Sequence, residues 1–283
     1  MTANASNGFL LQTHRWINHV QTNPLKLAIV NLMPTKLATE RQFLTQFNRL
    51  DTDVEITFVY PVTHKFKGTP RADIQSAYTS LATIAEQHFD GVIITGAPVE
   101  HLPFEQVDYW DEFQTICDWA EHHAHQTLLE CWAAQAGLFN DFGIPKQPVK
   151  HKVFGVYQAD TTSDEFANCL GAGGLFKMPQ SRHTTSLINP TTLPNDIAIV
   201  ASNHQIGPLI LHSRHHRRTY VTGHPEYEKT TLNQEYERDL KKHLPIQPPL
   251  NYFQANGQID YSWQSSSQTF YQTWLNQTKK AGN

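Results

Sequence analysis

The strongest constraint in this chain is an alternation, through its first half, of short, wholly apolar runs with segments of helical periodicity. Residues 25–32, 54–60, 91–95 and 127–131 are rich in Leu, Ile and Val along their length rather than at every second position. A strand that is apolar on both faces must be covered on both faces, as in a parallel sheet sandwiched by helices. Between these runs, 35–50 places Leu37, Phe43, Leu44 and Phe47 on one helical face, and a helix is expected running toward Phe89. Residues 107–123 are amphipathic, and 132–142 follow the fourth run directly. The second half is richer in strands, at 153–157, 197–202, 209–211 and 220–222, with closing helices at 231–244 and 267–279. The expected architecture is α/β: a mostly parallel sheet flanked by helices, with elaborated edges. Residues 1–24 read as an N-terminal arm and 25–283 as a single α/β domain.

Composition narrows the function classes. With 15 Phe, 10 Tyr and 6 Trp in 283 residues, the chain has ample apolar surface for a core, which excludes a disordered protein. A formal net charge of −4, from 22 basic and 26 acidic residues, argues against a nucleic-acid partner. No apolar run approaches the roughly 20 residues of a membrane span, and the polar first residues lack a signal-peptide pattern. Cys117, Cys131 and Cys169 suit neither a disulfide framework nor a zinc ribbon, so a reduced, cytoplasmic protein without metal is expected.

In open α/β sheets, ligands collect at the carboxyl ends of strands. Four unusual stretches fall there, beginning at Asn31, Thr95, Glu130 and Thr222. Cys131 is the sharpest candidate. It lies between an apolar strand and a helix whose small residues, Ala133, Ala134, Ala136 and Gly137, permit a tight turn. A thiol at a helix N-terminus is favoured as thiolate, and the same N–H groups suit an oxyanion. The plainer reading is a buried structural cysteine. His224 and Glu226 follow a later strand as His-Pro-Glu, and residues two apart in extended chain project to one side. A carboxylate that orients an imidazole, which in turn takes a thiol proton, is the generalised catalytic triad.

The Cys131 turn with Gln135, followed by His224 and Glu226, resembles the class I glutamine-amidotransferase fold, a flavodoxin-like arrangement. Longer strings, among them Asn31 to Lys36, Ile94 to Glu100, Asp108-Tyr109-Trp110, Ser181-Arg182-His183-Thr184 and Glu235 to Asp239, resemble the homoserine O-acyltransferases of the MetA type. The resemblance implies ping-pong acyl transfer: Cys131 attacks the acyl-CoA thioester, His224 serves as base and Glu226 orients it. It further implies that Lys152 serves the oxyanion and acyl site, and that Ser181 and Arg238 bind the amino-acid acceptor. No cofactor is implied beyond acetyl-CoA as co-substrate, and the family suggests a homodimer. In the family a glutamate at the Glu100 position accompanies acetyl-CoA and a glycine succinyl-CoA. A carboxylate there shortens the acyl pocket and repels a succinyl carboxylate.

Two departures stand out. Glu130 replaces an apolar residue before the nucleophile and adds a charge near the thiol, and Ala133 replaces the usual glycine of the turn. Serine therefore stays open as acceptor beside homoserine, since one methylene discriminates by only about 1–3 kcal/mol. Succinyl transfer, glutamine amide hydrolysis and a non-catalytic binding module are the other readings. His122, His123 and His125 read as a solvated helix end, the run from Arg214 to Arg218 as an exposed turn or a CoA-phosphate site, and Gly171 to Gly174 as a loop.

Overall fold

A computed structural model of the protein describes residues 2–66, 68–164 and 175–280. Cys169 and the glycine-rich run at 171–174 lie outside the described residues. The strands are β1 Ala3–Ala5, β2 Leu25–Val30, β3 Val54–Val59, β4 Phe89–Ile94, β5 Ala124–Glu130, β6 Lys146–Gln158, β7 Thr161–Thr162, β8 Lys177–Ser186, β9 Ile197–Asn203, β10 Gly207–Ser213 and β11 Arg218–Val221. The helices are α1 Phe9–Gln12, α2 Lys36–Phe47, α3 Arg71–Ala77, α4 Leu81–Ile84, α5 Trp110–His123, α6 Trp132–Phe142, α7 Thr231–Lys241 and α8 Gln264–Lys280. Nine of the strands form one sheet in the order β1-β3-β2-β4-β5-β11-β10-β9-β7. Pairing is parallel from β1 to β11 and antiparallel beyond it. The fold is thus α/β around a mostly parallel sheet.

Strand pleating explains the two cores. In β2, Leu27 and Ile29 point to one face and pack with Phe43 and Phe47 of α2 and Tyr271 and Trp274 of α8. Ala28 and Val30 point to the other, where Phe113, Ile116, Trp132 and Leu138 of α5 and α6 cover them. Each such side chain, buried rather than exposed, contributes roughly 1.5–3 kcal/mol. Because every inner strand is apolar on both faces, a helix layer is required on each side.

Several expectations are revised. The helix expected toward Phe89 is two short helices, α3 and α4, and Phe89 instead opens β4. Leu37 is 41% exposed, whereas Glu40 of the same helix is fully buried. The Glu40 carboxylate accepts the Phe9 and Leu10 backbone N–H groups at 2.9 and 2.8 Å, so it satisfies the first turn of α1. Residues before Leu25 are thereby joined to the sheet: β1 pairs with β3, burying Ala3 and Ala5. β8 had no counterpart in the sequence reading. It pairs with β6 in a separate antiparallel ribbon, and the β8 backbone lies against the chain leaving β11, where His224 N–H donates to Pro179 O at 2.9 Å. No described helix is long and apolar enough to cross a membrane.

Candidate functional site

Cys131 sits where β5 turns into α6. Its backbone is held at φ 50°, ψ −111°, a left-handed conformation that a non-glycine residue adopts only under constraint. The constraint is visible: Cys131 N–H donates to Val221 O of β11 at 2.7 Å, while its own carbonyl accepts the Gln135 N–H at 3.2 Å as the first helical bond. The turn therefore aims the thiol off the sheet edge and leaves the first-turn N–H groups of α6 without intrahelical acceptors. Gly96, after β4, keeps the approach open. A Cβ there would lie 3.1 Å from Cys131 Cβ and 3.7 Å from its Sγ.

β11 is the immediate neighbour of β5, and its exit brings His224 to the thiol. Gly223 makes the close approach possible, since a Cβ there would meet Pro179 O and Gln180 Nε2 at 2.4 Å. His224 Nδ1 hydrogen-bonds Glu226 Oε1 at 2.8 Å, and its other edge engages Cys131. Tyr227 stacks on the imidazole, with centroids 4.2 Å apart. Burial opposes the imidazolium, yet the negative charge available on Cys131 and Glu226 outweighs it and holds the His224 pKa well above its ordinary value. The imidazolium is the form of His224 that this arrangement favours, with Cys131 as its hydrogen-bond partner.

Glu130, expected as a charge beside the thiol, points instead to the opposite side of the sheet edge. It is fully buried and accepts a hydrogen bond from Tyr271 Oη of α8 at 2.8 Å. Desolvation, then the neighbouring Glu226 charge, raise its pKa well above the carboxylate range.

Glu100, Cys131, Lys152, Ser181, His224 and Arg238 all line one cavity of about 110 Å³, with Glu226 behind His224. Lys152 Nζ lies 3.1 Å from Asp239 Oδ2 and 3.6 Å from Glu235 Oε2. Ser181 Oγ donates to Glu235 Oε2 and Tyr227 Oη to Glu235 Oε1, each at 2.5 Å. Arg238, about half exposed, is held by Asp239 Oδ1 at 2.8 Å. This is a chamber with a cation and an anion side by side, suited to a zwitterion. Three of its members carried no assigned role in the sequence reading: Glu235, Tyr227 and Arg182. Arg182 is 2% exposed and donates to Gln180 Oε1, Thr184 O and Ile206 O at 2.9, 2.9 and 3.0 Å. Burial lowers its pKa, and the nearby Cys131 opposes that shift. A fixed guanidinium near the sulfur complements negative charge there. The string Ser181 to Thr184 contained it, but an arginine in a polar segment looks like surface.

Glu100, His101 and His183 bring one donor atom each to within 4.8 Å of one another. Ligating imidazoles are normally oriented by a hydrogen bond from their second nitrogen. Among the described residues none of these three side chains has a hydrogen-bond partner, and His101 is exposed, so the group lacks the support of a built metal centre. His122 and His123 bond carbonyls of their own helix, and His125 the Thr278 carbonyl. The basic turn is structural in part: Arg218 is 1% exposed and binds Asp141, Glu121 and the Cys117 carbonyl, while Arg217 binds the Glu121 carbonyl. Cys117 is buried, and burial pushes its thiol up to about 12.

Comparison with known proteins gives the family and the fold. A family model described as homoserine O-succinyltransferase matches residues 2–281. The chain is 38% identical over 273 residues to a homoserine O-acetyltransferase of Acetivibrio thermocellus, covering 95% of this chain and 89% of that one. It is also 38% identical over 275 residues to a homoserine O-acetyltransferase of Thermotoga petrophila, covering 96% and 90%. A solved glutamine amidotransferase from Thermotoga maritima superposes with a TM-score of 0.55 over 90% of this chain and 99% of that one, at 15% identity. That likeness carries the fold alone.

Proposed function

The chain belongs to the homoserine O-succinyltransferase family and is an acyl-CoA-dependent homoserine O-acyltransferase, and we propose that its donor is acetyl-CoA and that the acetyl group travels on Cys131. The observation that carries this reading is the strained turn that sets the Cys131 thiol against an imidazole braced by Glu226, inside a cavity with paired cation and anion.

In the first half-reaction the Cys131 sulfur attacks the thioester carbonyl, its proton having passed to His224. The C–O π pair moves onto oxygen, where α6 N–H groups and Lys152 stabilise it. Collapse breaks the bond to the CoA sulfur, which takes the His224 proton and leaves as thiol. In the second half-reaction His224 removes the proton of the homoserine hydroxyl, whose oxygen attacks the acetyl-Cys131 carbonyl. Collapse releases the Cys131 thiolate and O-acetylhomoserine. We assign Arg238 to the acceptor carboxylate, with Ser181 as a further acceptor contact, and Glu235 to its ammonium group; that all three line the cavity and Ser181 bonds Glu235 supports the assignment.

Glu100 supports acetyl as the donor group. Its carboxylate lines the same small cavity as the thiol, where it disfavours a second carboxylate. Both relatives named above are homoserine acetyltransferases, and neither supports serine as acceptor.

Mass spectrometry after mixing with acetyl-CoA and no acceptor tests the scheme. One acetyl adduct on the Cys131 peptide, discharged by homoserine and absent in Cys131→Ala, is expected. Full turnover by Cys131→Ala refutes the covalent route, and faster discharge by serine than by homoserine refutes the acceptor.

A further inference from the structure

Glu130 has no task in the chemistry above, yet it occupies one of the least hospitable places for a carboxylate in the molecule. It is the last residue of β5, adjacent to the nucleophile, and it has no solvent exposure. One oxygen, Oε1, accepts the Tyr271 hydroxyl. Among the described residues the other, Oε2, has no ordinary donor, and neither does Glu226 Oε2. Glu226 is the strongest charge acting on Glu130 and lies within side-chain hydrogen-bonding reach of it, so the two orphan oxygens belong to neighbouring carboxyls. Two carboxylates present only acceptors, so a contact of this kind needs a proton between them. The groups facing Glu130 are Glu226 and His224 from the segment after β11 and Tyr271 from α8. Tyr271 is itself neutral, and its hydroxyl is already spent on Glu130. Of the two carboxyls, Glu226 has the His224 imidazole to balance a negative charge, whereas Glu130 has only a phenol. The proton therefore resides on Glu130.

We propose that Glu130 is a positioning residue: a neutral carboxylic acid that donates a hydrogen bond to Glu226 Oε2, so that Tyr271, Glu130, Glu226 and His224 form one buried chain ending at the thiol. The proposal rests on the roles given above to Cys131 and His224. Glu226 without this donor would keep a buried, unsatisfied oxygen and would be free to rotate off His224. With it, both carboxylate oxygens are fixed, one by the imidazole and one by the acid, and His224 presents a single edge to Cys131.

The test uses Glu130→Gln and Glu130→Leu in the full chain, with infrared spectroscopy and steady-state kinetics. A glutamine keeps both bonds, its oxygen accepting from Tyr271 and its amide donating to Glu226. A leucine keeps the volume and loses both. The carbonyl stretch of a buried protonated carboxyl is expected in the wild type at neutral pH and absent in Glu130→Gln. Glu130→Gln is expected to keep kcat within about threefold, and Glu130→Leu to lose roughly tenfold or more in kcat with KM little changed. A wild type without that band overturns the proposal. So does a Glu130→Gln protein that falls as far as Glu130→Leu, or a Glu130→Leu protein with full kcat. Should the leucine variant not fold, the infrared band and the glutamine variant decide alone. The band does not depend on turnover, so its absence is distinct from failure of the acyl-enzyme scheme, which Cys131→Ala reports.

Discussion

Replacing Glu130 with glutamine has a consequence for stability whose sign and size follow from burial. In the unfolded chain a carboxyl near the ordinary value of 4.5 is ionised above about pH 5, whereas in the folded protein desolvation, then the Glu226 charge, keep Glu130 protonated. The folded state then binds one proton more than the unfolded state. Stability falls as pH rises, by about 1.4 kcal/mol per pH unit, from the ordinary carboxyl value up to the folded-state one. Glutamine carries no such proton. Between about pH 5 and about pH 7 the wild type should therefore lose on the order of 2 kcal/mol relative to Glu130→Gln. His224, whose pKa is raised on folding, also loses stability as pH rises, but that loss is common to both proteins and cancels in the difference. Urea unfolding of the two proteins at several pH values in this window measures the effect. Parallel pH dependences, or a wild type that gains on the variant as pH rises, would refute the reasoning.

Three further outcomes are expected. Glu100→Gly should raise the preference for succinyl-CoA over acetyl-CoA by roughly tenfold, a repulsion of like charges discounted for partial exposure, and an unchanged ratio of kcat/KM values counts against the pocket argument. Gly96→Ala puts a methyl 3.1 Å from Cys131 Cβ and should cut kcat roughly tenfold or more while the melting temperature moves little; normal turnover would show that the approach to the thiol lies elsewhere. Arg218→Ala strips the cation from Asp141, whose side chain is 1% exposed, and should cost about 3–5 kcal/mol in denaturant unfolding. A loss under 1 kcal/mol would mean that Asp141 is served well enough by Tyr220 and Asn140.

The central strands were legible because burial on both faces demands continuous apolar sequence, a pattern with few alternatives. The Cys131 turn was legible for a related reason: a strand running straight into small residues leaves little choice but a tight elbow. β8 was not, because Lys177 to Ser186 buries polar side chains such as Gln180, Arg182 and Thr184. They are satisfied by each other and by carbonyls, and a sequence does not display its hydrogen-bond partners. The same blindness covers Glu40, whose acceptors are matched to N–H groups 30 residues earlier, and the ionisation of Glu130, which depends on Tyr271 at the far end of the chain. Leu37 erred in the opposite direction, since helical periodicity selects a face but not the depth of the layer above it. The run at Arg214 to Arg218 resembled a surface turn, yet Arg218 became a core cation because Asp141 and Glu121 meet it from two helices.

The adjacency of β5 and β11 carries a last implication for the birth of the enzyme. A growing polypeptide that has emerged only as far as β10 already carries the Cys131 thiol but neither the imidazole nor the carboxylate, both of which trail the strand destined for the slot beside it. Cys131 also lacks, until that moment, the Val221 carbonyl that holds its backbone in place. On the acyl-enzyme scheme proposed above, reactivity is withheld from every form that lacks β11, and the arrival of acylation in a refolding experiment would time the seating of one four-residue strand.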